Sequence, residues 1–126
     1  MSTTASRPRF LNLLLIRMPV GAAASIAHRI SGIFLFLSIP LAAFLLDLSL
    51  QGPEGFTRAA EILSYTPIRS LQVMIAWSFV QHVLAGIRFL LLDMDIGLNK
   101  SSARLSAWVV NCAAPVLAAL LLWGVW

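Results

Sequence analysis

The chain has 126 residues, of which 60% are hydrophobic and 11% are charged. A soluble domain of this size needs more charged groups to cover its surface, so the composition argues against a soluble fold. The formal net charge is +4, but the basic residues have no interleaved aromatic platform, and nucleic-acid binding is not expected. The single cysteine, Cys112, excludes a disulfide scaffold and a cysteine metal site. It is expected to be a small buried apolar side chain.

Three stretches without a charged residue organise the chain, at 30–46, 70–87 and 105–126. About 20 helical residues, each rising about 1.5 Å, cross the hydrocarbon layer of a bilayer. The sequence therefore predicts an all-α integral membrane protein with three transmembrane helices, at about 20–47, 69–92 and 105–126. An arm, 1–18, precedes them, and 1–126 form a single membrane-anchor domain. The residues left over are too few for a soluble catalytic domain with its own core.

The distribution of charge predicts the orientation. Basic residues precede the first span and occupy the second connection, whereas the segment after Arg104 has none. By the positive-inside rule, the N-terminus is cytoplasmic and the C-terminus is periplasmic. A multi-pass protein of the bacterial inner membrane is the simplest account. In the first connection Gly52, Pro53 and Gly55 are expected to break any helix, and 56–63 to form one or two helical turns capping the bundle.

One candidate functional residue in the second span is His82. It lies six residues before Arg88, about 9 Å along a helix axis, and Ala85 and Gly86 follow it within about one turn. Small residues beside a histidine leave room for a flat, bulky group, and a neutral imidazole is a common axial ligand of haem iron. The alternative is a histidine that bonds a neighbouring helix, with the small residues serving close packing.

A second constellation lies on the first helix. Ser25, His28, Arg29 and Gly32 are spaced i, i+3, i+4 and i+7, which places them on one face. Arg29 can donate to an anionic group and Ser25 to a carbonyl oxygen. The alternative is a basic anchor whose side chain reaches the lipid headgroups.

The two constellations are expected to meet near the cytoplasmic leaflet. His28 is expected at the interface and His82 well below it, so a haem held by both histidines is not expected, and another polypeptide would supply the second ligand. Asp93 lies 11 residues after His82, about three turns, and shares its face. Arg88 is expected to be an ordinary positive-inside charge, and Asn111 to make a hydrogen bond between helices.

These residues fall in two motifs. Arg7-Pro8 followed by Ser-Ile-Ala-His-Arg-Ile-Ser-Gly at 25–32 resembles an RP…SIxHRxSG signature, and 82–88 with Asp93 resembles HxxxGxRxxxxD. Both are typical of the cytochrome b membrane-anchor subunits of succinate dehydrogenase, and the similarity covers essentially the whole chain. One departure is Phe89, where some relatives carry a second histidine.

The resemblance implies a role for each matched residue. His82 would be one axial ligand of haem b, and a histidine of a second anchor subunit would be the other. Ser25 and Arg29 would line the ubiquinone site, His28 and Arg29 would lie close to the haem propionates, and Asp93 would be a supporting polar group on the opposite wall.

The resemblance also implies partners, namely a flavoprotein subunit, an iron-sulfur subunit, the second anchor subunit and the lipid bilayer. The chain has no flavin or iron-sulfur motif, so it would not be catalytic alone, but would help to pass electrons from the iron-sulfur subunit to ubiquinone. Two other functions stay open: the anchor of a fumarate reductase or related oxidoreductase, and a small non-redox membrane scaffold.

Overall fold

The computed structural model describes residues 18–124, and these form four helices. They are α1 (Val20–Leu50), α2 (Pro53–Ser64), α3 (Thr66–Asp93) and α4 (Lys100–Trp123). Three of them, α1, α3 and α4, are long and apolar enough to cross a membrane. The predicted all-α fold with three membrane-spanning helices is therefore confirmed. Most of the predicted N-terminal arm, including Arg7-Pro8, and the last two residues lie outside the described residues.

The three long helices pack through small residues and turn large apolar ones outward. Ala24, Ala85, Ala107 and Ala114 are each 0% exposed, whereas Phe36 is 72% exposed. This is the distribution expected of a bundle in lipid, where close contact between helices and not burial of large side chains holds the helices together.

α3 is the central helix of the bundle, because it packs against both α1 and α4 along its length. The chain runs up α1, down α3 and up α4, so the start of α1, the end of α3 and the start of α4 lie together. We call this end, which carries Asp93, Lys100 and Arg104, the basic end. The turn between α3 and α4 has two residues with positive φ, Asp95 at 61° and Gly97 at 80°.

α2 packs mainly against α1, at the opposite end of the bundle. The expectation that Gly52, Pro53 and Gly55 prevent a helix is wrong, because α2 begins at Pro53 and runs for 12 residues. Proline fits the first helical turn, where its missing N–H would have had no partner. Gly52 makes the turn with φ 103°, and a Cβ at Gly55 would strike the Leu48 carbonyl oxygen.

The helices also extend beyond the charge-free stretches that predicted them. α1 continues through Pro40 to Leu50, and α4 begins at Lys100 and not near 105. Charged residues mark where a helix leaves the hydrocarbon, but backbone hydrogen bonding continues into the headgroup region. The expectation that Cys112 is buried is wrong, since its side chain is exposed on the outer face of α4.

Candidate functional site

The two histidines meet where α1 packs against α3. The rings of His28 and His82 are stacked, with centroids 4.1 Å apart and planes inclined by 13°. The expectation that His28 lies at the interface and His82 much deeper is therefore wrong. The two side chains lie at the same level of the bundle.

The predicted depth of His82 rests on Arg88 as the point where α3 leaves the membrane, and Arg88 does not mark that point. The Arg88 side chain is only 8% exposed and donates hydrogen bonds to the Ser106 hydroxyl (3.0 Å) and the Ala103 carbonyl oxygen (3.1 Å) on α4. It is thus not the free interfacial charge that was expected. α3 continues to Asp93, which places His82 about 16 Å from the end of its helix. His28 lies about 12 Å from the start of α1, and the two helices run antiparallel.

His82 is held through one of its ring nitrogens. Its Nδ1 lies 3.1 Å from the carbonyl oxygen of His28 and 3.3 Å from the Oγ of Ser31. Ser31 is 0% exposed, and its hydroxyl donates to the same carbonyl at 2.8 Å. Because the carbonyl only accepts and the Ser31 proton is already committed, these contacts assign the proton to Nδ1. The lone pair of His82 is then on Nε2.

Glycines allow the histidines to approach. A Cβ at Gly32 would lie 3.0 Å from Cε1 of His82, and a Cβ at Gly86 would lie 3.6 Å from Nε2 of His28. The first distance is too short for an ordinary contact, so His82 can occupy this position only because Gly32 has no Cβ. Phe89 packs its ring edge-on against His28, with centroids 5.4 Å apart. Gly32 and Gly86 therefore allow α1 and α3 to pack closely and leave space for the two histidine rings between them.

The histidine pair opens onto a groove of about 460 Å³, which we call the histidine groove. Its surface is mostly apolar, and its polar groups come from the histidines and the exposed Arg29 at one end. Its lining residues are His28, Arg29, Gly32, Ile33, Phe36, Leu37 and His82. The side chain of Arg29 makes no ion pair with another residue of 18–124. The structure thus brings together four of the residues that the sequence singled out, three on α1 and one on α3.

Two other candidate residues do not line this groove. Ser25 is half-buried on α1, and its hydroxyl has no hydrogen-bond partner within residues 18–124. Asp93 is exposed at the last position of α3. Their assigned roles at a quinone site stay predictions.

The histidine pair fits one axial ligand to a haem iron from this chain, and not two. Axial ligands direct their lone pairs at the iron from opposite faces of the macrocycle. Rings stacked at 4.1 Å present their faces to each other and leave no room for a macrocycle between them. His82 has the tautomer that a metal ligand needs, with its proton on Nδ1 and its lone pair on Nε2. Ligating histidines usually donate their other ring N–H to a backbone carbonyl or a similar acceptor.

Sequence reasoning assigned no contact to two polar residues that matter here. Ser31 belongs to the matched motif and follows His28 by three residues, which is the signal that could have found it. Gln81 is 1% exposed, and its Nε2 donates to Oδ1 of Asn111 at 3.3 Å. This contact joins α3 to α4 and confirms the predicted helix-to-helix hydrogen bond of Asn111.

Comparison with known proteins gives consistent results. Residues 3–122 match the family model described as the succinate dehydrogenase/fumarate reductase transmembrane subunit. Among curated relatives, the succinate dehydrogenase cytochrome b556 subunit of Coxiella burnetii is 37% identical, over 94% of this chain and 98% of the relative. The subunit of the same name from Paracoccus denitrificans is 30% identical, over 93% of this chain and 90% of the relative. One from Rickettsia bellii is 29% identical over the same shares.

The family match spans nearly the whole chain and includes all three membrane-spanning helices. It also includes the motifs that supply His28, Ser31, Gly32 and His82. The chain therefore belongs to the family of succinate dehydrogenase/fumarate reductase transmembrane subunits.

Proposed function

We propose that this chain is a membrane anchor of succinate dehydrogenase that ligates haem b through His82 and contributes to the site where ubiquinone is reduced. One observation carries the proposal. Nδ1 of His82 lies within hydrogen-bond distance of the His28 carbonyl and Ser31. The lone pair of Nε2 is therefore available to coordinate a metal, and His82 lines an open groove. A histidine that merely joined two helices would not need its second nitrogen free.

His82 would coordinate the iron, and Arg29 and His28 would bind the propionates of the haem. Haem b supplies a one-electron redox centre inside the membrane. Arg29 is exposed in the histidine groove, where its guanidinium can form charge-assisted hydrogen bonds with a propionate. His28 lies against His82 and can donate to the same group. Because the His28 ring faces its neighbour, we assign the second axial ligand to a second anchor subunit.

Arg29 also suits the reduction of a quinone. Its side chain is exposed and makes no ion pair within residues 18–124, so it has donors for a quinone oxygen as well as for a propionate. A guanidinium held there would stabilise the negative charge that develops on a quinone oxygen as electrons arrive. Ser25, one turn earlier on α1, would add a neutral hydrogen bond, and Asp93 would lie toward the aqueous side, where protons are available.

The electrons must come from other subunits. The described residues form a membrane bundle without a soluble domain, and the chain has one cysteine. A flavoprotein subunit would oxidise succinate, and an iron-sulfur subunit would carry the electrons to the membrane. With the basic end toward the cytoplasm by the positive-inside rule, the N-terminus is cytoplasmic, the C-terminus periplasmic, and the membrane is the bacterial inner membrane.

The test is a reduced-minus-oxidised absorption spectrum of the purified complex with His82→Leu. The expected result is loss or displacement of the low-spin haem bands, while all subunits still copurify. The matched comparison is His28→Leu, which removes the stacked ring and one propionate donor but keeps the iron ligand, so it should weaken haem binding without removing the low-spin bands. An assembled His82→Leu complex with an unchanged spectrum would refute the assignment. A wild-type complex without any haem would favour a haem-free anchor or a scaffold.

A further inference from the structure

A second groove lies at the basic end, between the start of α1 and the first three turns of α4. It has a volume of about 690 Å³ and shares no lining residue with the histidine groove. Arg88, Lys100 and Arg104 line it together with Gly21, Ala23 and Trp108. We call it the cationic groove. Nothing in the proposed haem or quinone chemistry uses it.

The cationic groove carries three positive charges and no carboxylate among its lining residues. Within residues 18–124, none of Arg88, Lys100 and Arg104 makes an ion pair. Lys100 and Arg104 are exposed and can be solvated. Their shared location still favours an anion, because like charges around one cavity add their fields.

Arg88 gives the stronger argument, because its charge is buried. It is 8% exposed, and its two hydrogen bonds go to neutral acceptors, the Ser106 hydroxyl and the Ala103 carbonyl. The ring of Phe89, 5.2 Å from the guanidinium carbon, is also uncharged. A guanidinium has five N–H donors, and a buried charge is costly unless an anion compensates it. The two hydrogen bonds use two of these donors, and the guanidinium lies at the groove, where a Cβ at Gly21 would be 3.9 Å from Nη2 of Arg88.

The shape of the cationic groove indicates the kind of anion. Its lining on α4 runs from Lys100 to Asn111, about 16 Å along the helix axis. The cations of α4 lie at its outer end, and Ala23 and Trp108 lie farther along. Trp108 is 53% exposed, as is common for tryptophan at the level of lipid headgroups. A phospholipid has the same layout, with a charged phosphate at the surface and acyl chains parallel to the helices.

We propose that the cationic groove binds an anionic phospholipid, with its phosphate against Arg88, Lys100 and Arg104 and an acyl chain along α4. An acidic segment of a partner subunit would also satisfy the charge, but it would leave the membrane-embedded part of the groove uncovered. The proposal requires neither haem nor quinone.

The test measures retention of phosphatidylglycerol, compared with zwitterionic phosphatidylcholine, by native mass spectrometry of the whole complex. The double variant Lys100→Gln/Arg104→Gln changes only exposed side chains. Each basic residue near an anionic surface contributes about a fivefold gain in affinity, so the double variant should bind phosphatidylglycerol about 25-fold more weakly. The control is Arg58→Gln, which removes a cation from α2 at the other end of the bundle. It should leave retention unchanged.

A second variant distinguishes weaker lipid binding from a defect in folding. Arg88→Lys keeps the charge but loses the forked donors, and it should reduce phosphatidylglycerol retention while phosphatidylcholine retention is unchanged. Equal retention of both lipids by the wild-type complex would overturn the proposal, as would a double variant that behaves like wild type. Complete competition by inorganic phosphate would show a simple anion site instead. A cross-link from Lys100 to a partner carboxylate, with no phosphatidylglycerol retained, would assign the groove to that partner.

Discussion

The two faces of α3 use polar residues for different purposes. Toward α4, Gln81 bonds Asn111, and Arg88 bonds Ser106 and the Ala103 carbonyl. Toward α1, His82 uses Nδ1 for the His28 carbonyl and Ser31, whereas its Nε2 has no hydrogen-bond partner within residues 18–124, and the residue lines an open groove. In lipid an unpaired polar group is costly, so a donor or acceptor left without a partner indicates a ligand. Toward α4, Gln81 thus joins helices, and Arg88 joins helices while keeping donors for the cationic groove. Toward α1, His82 keeps a lone pair for the histidine groove.

The largest expected effect concerns Arg29, which lies on α1 at the histidine groove. In an assembled complex, Arg29→Ala should lower electron transfer from succinate to ubiquinone by about 100- to 1,000-fold, because a charge-assisted donor to a developing oxyanion is lost. Transfer from succinate to a water-soluble acceptor should persist, since that acceptor takes electrons before the membrane. Arg58→Ala, on α2, is the control and should change neither rate. Equal loss of both activities in Arg29→Ala would show failed assembly, and unchanged ubiquinone reduction would refute the site.

A smaller effect is expected at Gly32, which lies about one turn after Arg29 on α1 and lines the same groove. In Gly32→Ala the new methyl group would meet Cε1 of His82 at 3.0 Å, so α1 or the imidazole must move. Overpacking of this kind typically costs about 1–3 kcal/mol. The complex should therefore melt at a lower temperature and hold less haem. Gly86→Ala is the matched control, because its Cβ would lie 3.6 Å from Nε2 of His28, an ordinary contact between the same two helices. Equal melting temperatures for the two variants would show that the histidine pair does not depend on Gly32.

These two residues also show what the sequence could predict. Arg29 and Gly32 were placed on one face with His28 because helical spacing is a local property of the chain. The three spans were predicted for the same reason, since length and apolar composition need no partner. The start of α2 was mispredicted at Pro53, because a residue that interrupts a helix is favoured in its first turn.

The errors at the site have a common physical cause. The level of His82 and the burial of Arg88 depend on how α3 docks against its neighbours, and no local pattern encodes that docking. From the sequence Arg88 is expected at the interface, whereas in the structure α4 supplies both of its hydrogen-bond acceptors. Ser31 was overlooked as a contact because its partner on α3 lies 51 positions away in the chain.

The α4 face offers a prediction of intermediate size. Gln81→Leu leaves the Asn111 amide without its partner, whereas Gln81→Leu/Asn111→Leu removes both polar groups. The single variant should destabilise the bundle by about 0.6–1.7 kcal/mol, from the average to the maximum found for such bonds in a membrane protein. The double variant should recover much of that loss, because no polar group is left unpaired. Thermal denaturation of the complex, with the haem spectrum as a second readout, would measure both. A double variant less stable than the single one would show that the contact matters for its shape and not for its hydrogen bond.

The smallest effect is expected at Ser31, because His82 keeps another acceptor there. Ser31→Ala removes one contact of Nδ1, and the His28 carbonyl at 3.1 Å remains. The proton should stay on Nδ1, so haem should still bind through Nε2. The ring loses part of its restraint, however, and second-shell hydrogen bonds tune the basicity of a ligand and hence the potential of its metal. We therefore expect a shift in the haem midpoint potential and a changed low-spin electron paramagnetic resonance signal, at wild-type haem content. Ser31→Thr, which keeps the hydroxyl, should restore both. Loss of haem in Ser31→Ala would show that Ser31 holds the fold, and an unchanged potential and signal would show that the His28 carbonyl alone orients the ligand.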